Sequence, residues 1–211
     1  YCLMHTPEHF WNWFLKHQSR YLTLGEIKSE LRDAAVDEMQ FELNKFFDQI
    51  FFEIGGDEGD HGGALIISAA GDPDFFPQVR ELVAAAPSME DWEVIAFKPP
   101  HPGPVVIAYE DQSFDPQEII VIPLLHDAYP DSVGIQVCFD DFEEAIEEHY
   151  MGATFLMLEA LIGEEAAIND IDHLEVCKVP ADIDDIEHLM LSDIEDHIVE
   201  IKTEGLDEDA H

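Results

Sequence analysis

Hydrophobic and polar residues follow a helical period at the start of the chain. Thr6 is a typical N-cap residue, and Pro7 suits the first helical turn because the amide there lacks an intrahelical partner. Aromatic residues then recur three or four positions apart, and a second apolar series with this spacing predicts a helix over 26–47. Residues 1–48 are therefore predicted to form an N-terminal helical segment that packs on the main domain.

After residue 48 the apolar residues fall into short runs with the length and composition of strands. Strands are predicted in this way at 50–54, 64–69, 92–97, 105–109, 118–125, 133–139 and 173–179. Three other stretches keep a helical period and begin at residues that can cap a helix, namely Asp74, Asp141 and Ser192. The helix from Asp141 should end at Gly163, since glycine commonly follows the last helical turn, and the helix from Ser192 should reach about Ile201.

The order of these elements indicates an α+β fold. Helices lie at both ends and the strands come mostly in neighbouring pairs, which favours two layers, with a largely antiparallel sheet and helices packed mainly on one face. The main domain is predicted to span 49–202, followed by a frayed acidic tail at 203–211. No internal repeat of useful period is apparent in the sequence.

Charge restricts the function more than composition does. Hydrophobic residues make up 46% of the 211 residues, enough for a packed core, but the formal net charge is −39 at pH 7. Residues 99–211 hold 30 acidic residues and only two basic ones, Lys178 and Lys202. Nucleic acids and anionic membranes require basic residues to replace their counterions, so neither is expected as a partner. No apolar run reaches the length of a membrane span, and with three cysteines and no signal segment we expect a cytoplasmic protein.

One predicted connection carries potential metal ligands. The glycine-rich connection 55–63 contains Asp57, Glu58, Asp60 and His61. These side chains suit a weak divalent-cation site, although the regular ligand spacing of a helix–loop–helix calcium site is absent. The tetrapeptide Gly55-Gly56-Asp57-Glu58 also resembles the hairpin signature of diguanylate cyclases, but Gly59 stands where that signature has an aromatic residue. A weakly held divalent cation is the only cofactor that the sequence predicts.

A second candidate site joins a strand end to a rigid loop. Lys98 is the one basic residue at the end of a predicted strand, and the proline-rich loop 99–104 that follows contains His101. With Glu53 of the first predicted strand, these side chains form a candidate ligand-binding set.

No catalytic residues are predicted. The nucleophile motif Gly-x-Ser-x-Gly is absent, and no serine has an obvious base. Cys138 and Cys177 lie in apolar runs, where a thiol is usually a small inert hydrophobic group. The two cysteines are expected to be near neighbours in the sheet.

The most specific segment of the chain is Trp92-Glu93-Val94-Ile95-Ala96-Phe97-Lys98-Pro99-Pro100. Other distinctive segments are Phe52-Glu53-Ile54-Gly55, Leu65-Ile66-Ile67-Ser68-Ala69, the helix from Phe76-Pro77 to Ala85-Ala86-Pro87, and Leu158-Glu159-Ala160-Leu161-Ile162-Gly163-Glu164. In this order the segments resemble an uncharacterised family of bacterial cytosolic proteins, over roughly residues 45–200. That family has no assigned activity, so the resemblance implies a fold and a compartment but no reaction. The chain is more acidic than expected of the family, which favours a saline source.

These observations leave three hypotheses about function. The first is a non-enzymatic interaction or regulatory module that binds a partner, expected to be a basic protein, through its anionic face. The second is a small enzyme, or a binder of a ligand or divalent cation, with its site near loops 55–63 and 99–104. The third is a halophile housekeeping domain whose acidity reflects only a saline cytoplasm. The absence of a convergent catalytic set favours the first.

Overall fold

The computed structural model of the chain describes residues 5–55, 62–124, 129 and 132–208, of which 204–208 by their backbone alone. The chain divides into two compact units between Lys98 and Pro99. The division falls at the start of the proline-rich loop, where residues without an amide proton cannot continue a strand. It differs from the predicted domain limits of 1–48 and 49–202, because the first two helices belong to the same unit as the strands that follow them.

Within its described residues, the first unit combines three helices with a three-stranded sheet. Its elements are α1 (Pro7–Tyr21), α2 (Ser29–Asn44), β1 (Phe51–Gly55), β2 (Gly63–Ser68), α3 (Phe76–Ala84) and β3 (Trp92–Ala96). Two buried hydrogen bonds connect the helices. The indole Nε1 of Trp11 donates to the carbonyl oxygen of Leu82 in α3 at 2.8 Å, and the Tyr21 hydroxyl donates to the carbonyl oxygen of Ala35 in α2 at 3.1 Å.

The sheet of the first unit contains one antiparallel and one parallel pairing. Strands β1 and β2 pair antiparallel, as the predicted hairpin requires, whereas β3 pairs parallel with β2 and α3 forms the crossover between them. The predicted cap of α3, Asp74, is wrong. Its amide donates to the carboxylate of Asp72 at 3.0 Å, and Asp72 caps a 3-10 turn at Pro73–Phe75 that leads into the helix. Proline suits the first position of such a turn, which places the cap one residue before Pro73.

The described part of the second unit contains a β-hairpin, a four-stranded sheet and three helices. Its elements are β4 (Ile107–Tyr109), β5 (Gln112–Phe114), β6 (Ile120–Leu124), β7 (Gly134–Phe139), α4 (Glu147–Ile162), α5 (Glu164–Asn169), β8 (His173–Lys178), β9 (Leu189–Met190) and α6 (Ile194–Glu208). The strand order in the larger sheet is β8-β7-β6-β9, with β8 parallel to β7 and the other pairings antiparallel. Helices α4 and α5 form the crossover from β7 to β8, so both units contain the order strand, strand, helix, strand.

The core of the second unit forms around α4. Side chains of β7 alternate, and Ile135 and Val137 are fully buried in one hydrophobic cluster with Met157 and Leu158 of the helix. Each such side chain contributes about 1.5–3 kcal/mol through burial. Helix α4 ends at Gly163 as predicted, with φ 85° and ψ 158°, a backbone region almost restricted to glycine.

The structure confirms the α+β fold. Among the described strands, four pairings are antiparallel and two are parallel. Three predictions about elements differ from the structure. Helix α4 follows a 3-10 turn at Glu144–Ile146 rather than a cap at Asp141, β5, β9 and α5 were not predicted, and α6 continues to Glu208 instead of ending near Ile201. No helix within the described residues has both the length and the apolar composition to cross a bilayer.

Candidate functional site

Two residues of the predicted ligand set, Glu53 and Lys98, form an ion pair in the first unit, with Lys98 Nζ 3.2 Å from Glu53 Oε1. Because the Glu53 side chain is 54% exposed, the pair contributes at most about 1 kcal/mol. His101 belongs to the second unit, where its amide donates to the carbonyl oxygen of Ala160 and its Nδ1–H to that of Gly103. Glu53, Lys98 and His101 therefore each make contacts within the fold, and ligand binding by these three residues stays a prediction.

The predicted cation site at Asp57, Glu58, Asp60 and His61 lies outside the described residues. Within the ranges that the structure does describe, no group of three or more His, Cys, Asp or Glu side chains is arranged to hold a metal ion. The divalent cation therefore also stays a prediction.

The hairpin of β4 and β5 approaches helix α4 very closely. A Cβ atom at Gly152 would lie 2.5 Å from Oη and 2.8 Å from Cζ of Tyr109. Any side chain larger than hydrogen would overlap the tyrosine ring. Glycine inside a helix destabilises it by about 1 kcal/mol relative to alanine, so the close approach has an energetic cost in α4.

His149 links α4 to the same hairpin. Its Nδ1 lies 2.9 Å from Oε2 of Glu110 and its Nε2 3.1 Å from Oε1 of Gln112. The side-chain amide nitrogen of Gln112 donates to Asp141 at 2.6 Å, which orients the amide oxygen toward the histidine. Each ring nitrogen of His149 therefore lies against a side-chain oxygen of the hairpin. Only 15% of the His149 side chain is exposed.

The turn of the hairpin is strained at Glu110. This residue follows β4 and has φ 51°, a left-handed conformation that non-glycine residues rarely adopt. Such a conformation costs about 1–3 kcal/mol and persists only where the surroundings hold it. The two-residue turn between the register partners Tyr109 and Gln112 calls for a positive φ, and the Glu110 carboxylate also contacts His149.

Between the hairpin and the start of α4 lies a cleft of about 970 Å³, which we term the acidic cleft. Its lining residues are Tyr109, Glu110, Glu144, Ala145, Ile146, Glu147, Glu148, His149, Met151, Gly152 and Phe155. Most of them recur three or four positions apart, so one face of the helix and its preceding turn forms a continuous wall. Two large apolar side chains of the lining are exposed, Ile146 at 46% and Phe155 at 43%.

The charge of the acidic cleft has no basic counterpart in its lining. Glu110, Glu144, Glu147 and Glu148 line it without any Lys or Arg. The sequence has no basic residue between Lys98 and Lys178. Carboxylates near a helix N-terminus are stabilised by the helix dipole, by about 0.3–1 kcal/mol each, which favours this grouping of like charges.

A smaller cleft of about 440 Å³ lies beside α6 in the same unit. Its lining residues are Pro123, Glu187, His188, Leu189, Asp193, Asp196, His197, Glu200 and Ile201. This cleft is also acidic, but its lining includes none of the large apolar side chains that the structure exposes.

Comparison of the chain with protein-family models, with curated proteins and with solved structures finds no match in any of the three. The resemblance to a bacterial cytosolic family stays a prediction.

The acidic cleft was not predicted from the sequence. Glutamates are common in the first turn of a helix, so those at the start of α4 did not point to a binding site. The strand β5, which belongs to the hairpin beside the cleft, was not predicted. The one local signal was Gly152, because glycine inside an apolar helical run often marks a close approach of another segment.

Proposed function

We propose that the chain is a non-enzymatic interaction module whose acidic cleft binds a basic amphipathic segment of a partner protein. The observation that carries this proposal is the composition of the lining, in which four glutamates stand beside the exposed Ile146 and Phe155. A helix with Lys or Arg on one side and apolar residues on the adjoining side would contact both groups at once. A volume of about 970 Å³ is at the upper end for small-molecule sites, and an open cleft of this size suits a peptide segment.

The charged and apolar groups would have different effects on binding. An exposed ion pair contributes about 0–1 kcal/mol, so the glutamates mainly accelerate association and make it sensitive to salt. Covering the exposed part of Phe155 contributes about 1 kcal/mol, roughly half of the value for complete burial of a phenylalanine. Affinity is therefore expected to depend on both kinds of contact.

The contacts of His149 support binding rather than proton transfer. Histidine is the side chain that most often acts as a general base, and both ring nitrogens of His149 are occupied by Glu110 and Gln112. A ring engaged in this way positions the hairpin against α4.

A designed peptide provides the test. A labelled helix of about 18 residues, with lysines and leucines on adjoining faces, is titrated with the full chain at low and at high salt, and binding is followed by fluorescence anisotropy. A peptide with the same composition in scrambled order and one with glutamates in place of the lysines serve as references. We expect binding of the amphipathic basic peptide only, and weaker binding at high salt.

Matched variants locate the binding site. Replacing Glu144, Glu147 and Glu148 by glutamine should weaken binding about tenfold, at about 0.5 kcal/mol for each lost pair. The control triple variant changes the exposed α2 residues Glu30, Asp33 and Asp37 to their amides, which alters the net charge equally.

The apolar contact is tested with a second pair of variants. Phe155→Ser should weaken binding about fivefold, whereas Phe41→Ser, at a residue of α2 that is 63% exposed, should leave it unchanged. Equal losses in the cleft variants and in their α2 controls would show that the peptide does not bind at the acidic cleft, and would refute the proposal.

A further inference from the structure

Two cysteines lie opposite each other on parallel strands of the second unit. Cys138 of β7 and Cys177 of β8 are register partners, and their Sγ atoms are 3.3 Å apart. Neighbouring strands are about 4.8 Å apart, which lies within the Cα separations that a disulfide can bridge. Both cysteines are free in this structure, and the expectation that they are near neighbours is confirmed.

The two thiols face away from the cluster around α4. The register partners Val137 and Val176 are both buried in that cluster. Side chains alternate along a strand, so the next pair, Cys138 and Cys177, lies on the opposite face of the sheet. The register pair Gln136 and Glu175 lies on the same face as the two cysteines, and the Gln136 side chain donates a hydrogen bond to Glu175 at 3.0 Å.

The two thiols differ in accessibility and in hydrogen bonding. Cys138 is 1% exposed, whereas Cys177 is only partly buried. Burial raises the pKa of Cys138 to about 12. Burial also raises the pKa of Cys177, but the hydrogen bond from Cys138 acts in the opposite direction. Cys177 is therefore the thiol that ionises first and meets a reagent first.

We propose that Cys138 and Cys177 form a reversible cross-strand disulfide by exchange with a low-molecular-weight disulfide. The Cys177 thiolate attacks one sulfur of the reagent, which forms a mixed disulfide and releases the first thiolate. Cys138 then loses its proton to that thiolate and attacks Cys177 Sγ, which forms the cross-strand bond and releases the second thiolate. This thiolate takes up a proton from the solvent, which balances the proton that Cys177 lost before the first step. Two cysteine thiols are oxidised and one reagent disulfide is reduced to two thiols.

The ionisation of Cys177 and the closeness of the two sulfur atoms determine which of the two steps is slow. Only a thiolate attacks a disulfide, so the raised pKa of Cys177 makes the first step slow. The second step joins sulfur atoms that are already in contact, and such an intramolecular step has a very high effective concentration. The mixed disulfide should therefore not accumulate in the wild-type chain.

Mass spectrometry after exchange with oxidised glutathione tests the proposal. The experiment uses the full chain with Cys2→Ser, so that only the strand cysteines react, and the products are acid-quenched, unfolded and alkylated. We expect a chain that has lost two hydrogens, takes up no alkylating reagent, and yields one cross-linked peptide joining β7 to β8. Dithiothreitol should restore two alkylatable thiols. Two thiols that stay fully alkylatable throughout, or dimers linked between chains, would overturn the proposal.

Serine variants separate the two roles. In the Cys2→Ser background, Cys138→Ser should stop at the mixed disulfide and retain one glutathione, whereas the parent Cys2→Ser chain should hold less than about a tenth in that form. Cys177→Ser should react far more slowly than Cys138→Ser. A lasting glutathione adduct on the parent Cys2→Ser chain would contradict the proposal, and this measurement does not depend on the folding of either strand variant.

Discussion

Replacing Gly152 by alanine should destabilise the second unit, although alanine is the better helix former. The new Cβ would lie 2.5 Å from Tyr109 Oη and 2.8 Å from Cζ, closer than unbonded carbon and oxygen atoms approach. Either the tyrosine ring or the hairpin that carries it must then move. This movement would also disturb the contact of Glu110 with His149 at the edge of the acidic cleft.

The magnitude follows from two opposing contributions. Helix propensity favours alanine by about 1 kcal/mol. Overpacking at a tight contact costs about 1–3 kcal/mol, so the net change is a destabilisation of up to about 2 kcal/mol. In a Tyr109→Ala background the contact is absent, and the same substitution should stabilise the chain by about 1 kcal/mol. The sign of the effect therefore reverses with the residue at position 109.

Urea unfolding of the four chains of this double-mutant cycle measures the reversal. Far-UV circular dichroism reports on helix content, and Trp11, Trp13 and Trp92 provide a fluorescence reference from the first unit. Gly25→Ala is the control, since a Cβ at that position would meet nothing within 4 Å. We expect a coupling free energy of about 1–3 kcal/mol between positions 109 and 152. Additive effects within about 0.5 kcal/mol would refute the reasoning.

Three further predictions concern stability. Gly163→Ala should lower the free energy of unfolding by about 1–3 kcal/mol in urea, because φ is 85° at this residue; no loss would contradict the account of the α4 end. Burial raises the pKa of Tyr21 to about 12 from the usual value of about 10, so its stabilising contribution is complete below about pH 10 and is lost as the pH rises toward 12. In the Tyr21→Phe variant the free energy of unfolding should fall less steeply between about pH 10 and 12, and a slope equal to that of the wild-type chain would contradict this prediction. With a net charge of −39, the thermal midpoint should rise between dilute and molar salt, and a constant midpoint would contradict net self-repulsion.

Local sequence signals predicted those parts of the fold that depend on neighbouring residues. Pro7 marks the start of α1 and Gly163 the end of α4, because each residue type suits one position of a helix terminus. The pairing of β1 with β2 follows from their closeness in sequence. The cap of α3 was placed wrongly because two aspartates, Asp72 and Asp74, flank Pro73, and either can cap a turn.

The parallel pairings and the acidic cleft depend on contacts between distant residues. The register of β7 with β8 joins residues 39 positions apart, such as Gln136 and Glu175, and nothing local in either strand specifies it. The cleft likewise depends on the contact of Tyr109 with Gly152. The glycine is visible in the sequence, but the residue that uses the space beside it is not.

The two crossovers also constrain how the chain folds. Strands β6 and β7 are close in sequence and can pair early, whereas β8 can join only after α4 and α5 have folded back over the sheet. The segment between β7 and β8 contains no basic residue, so its glutamates and aspartates repel one another while it becomes compact. Added salt should therefore accelerate refolding of the second unit chiefly at the step in which β8 docks, and early hairpin formation should respond less.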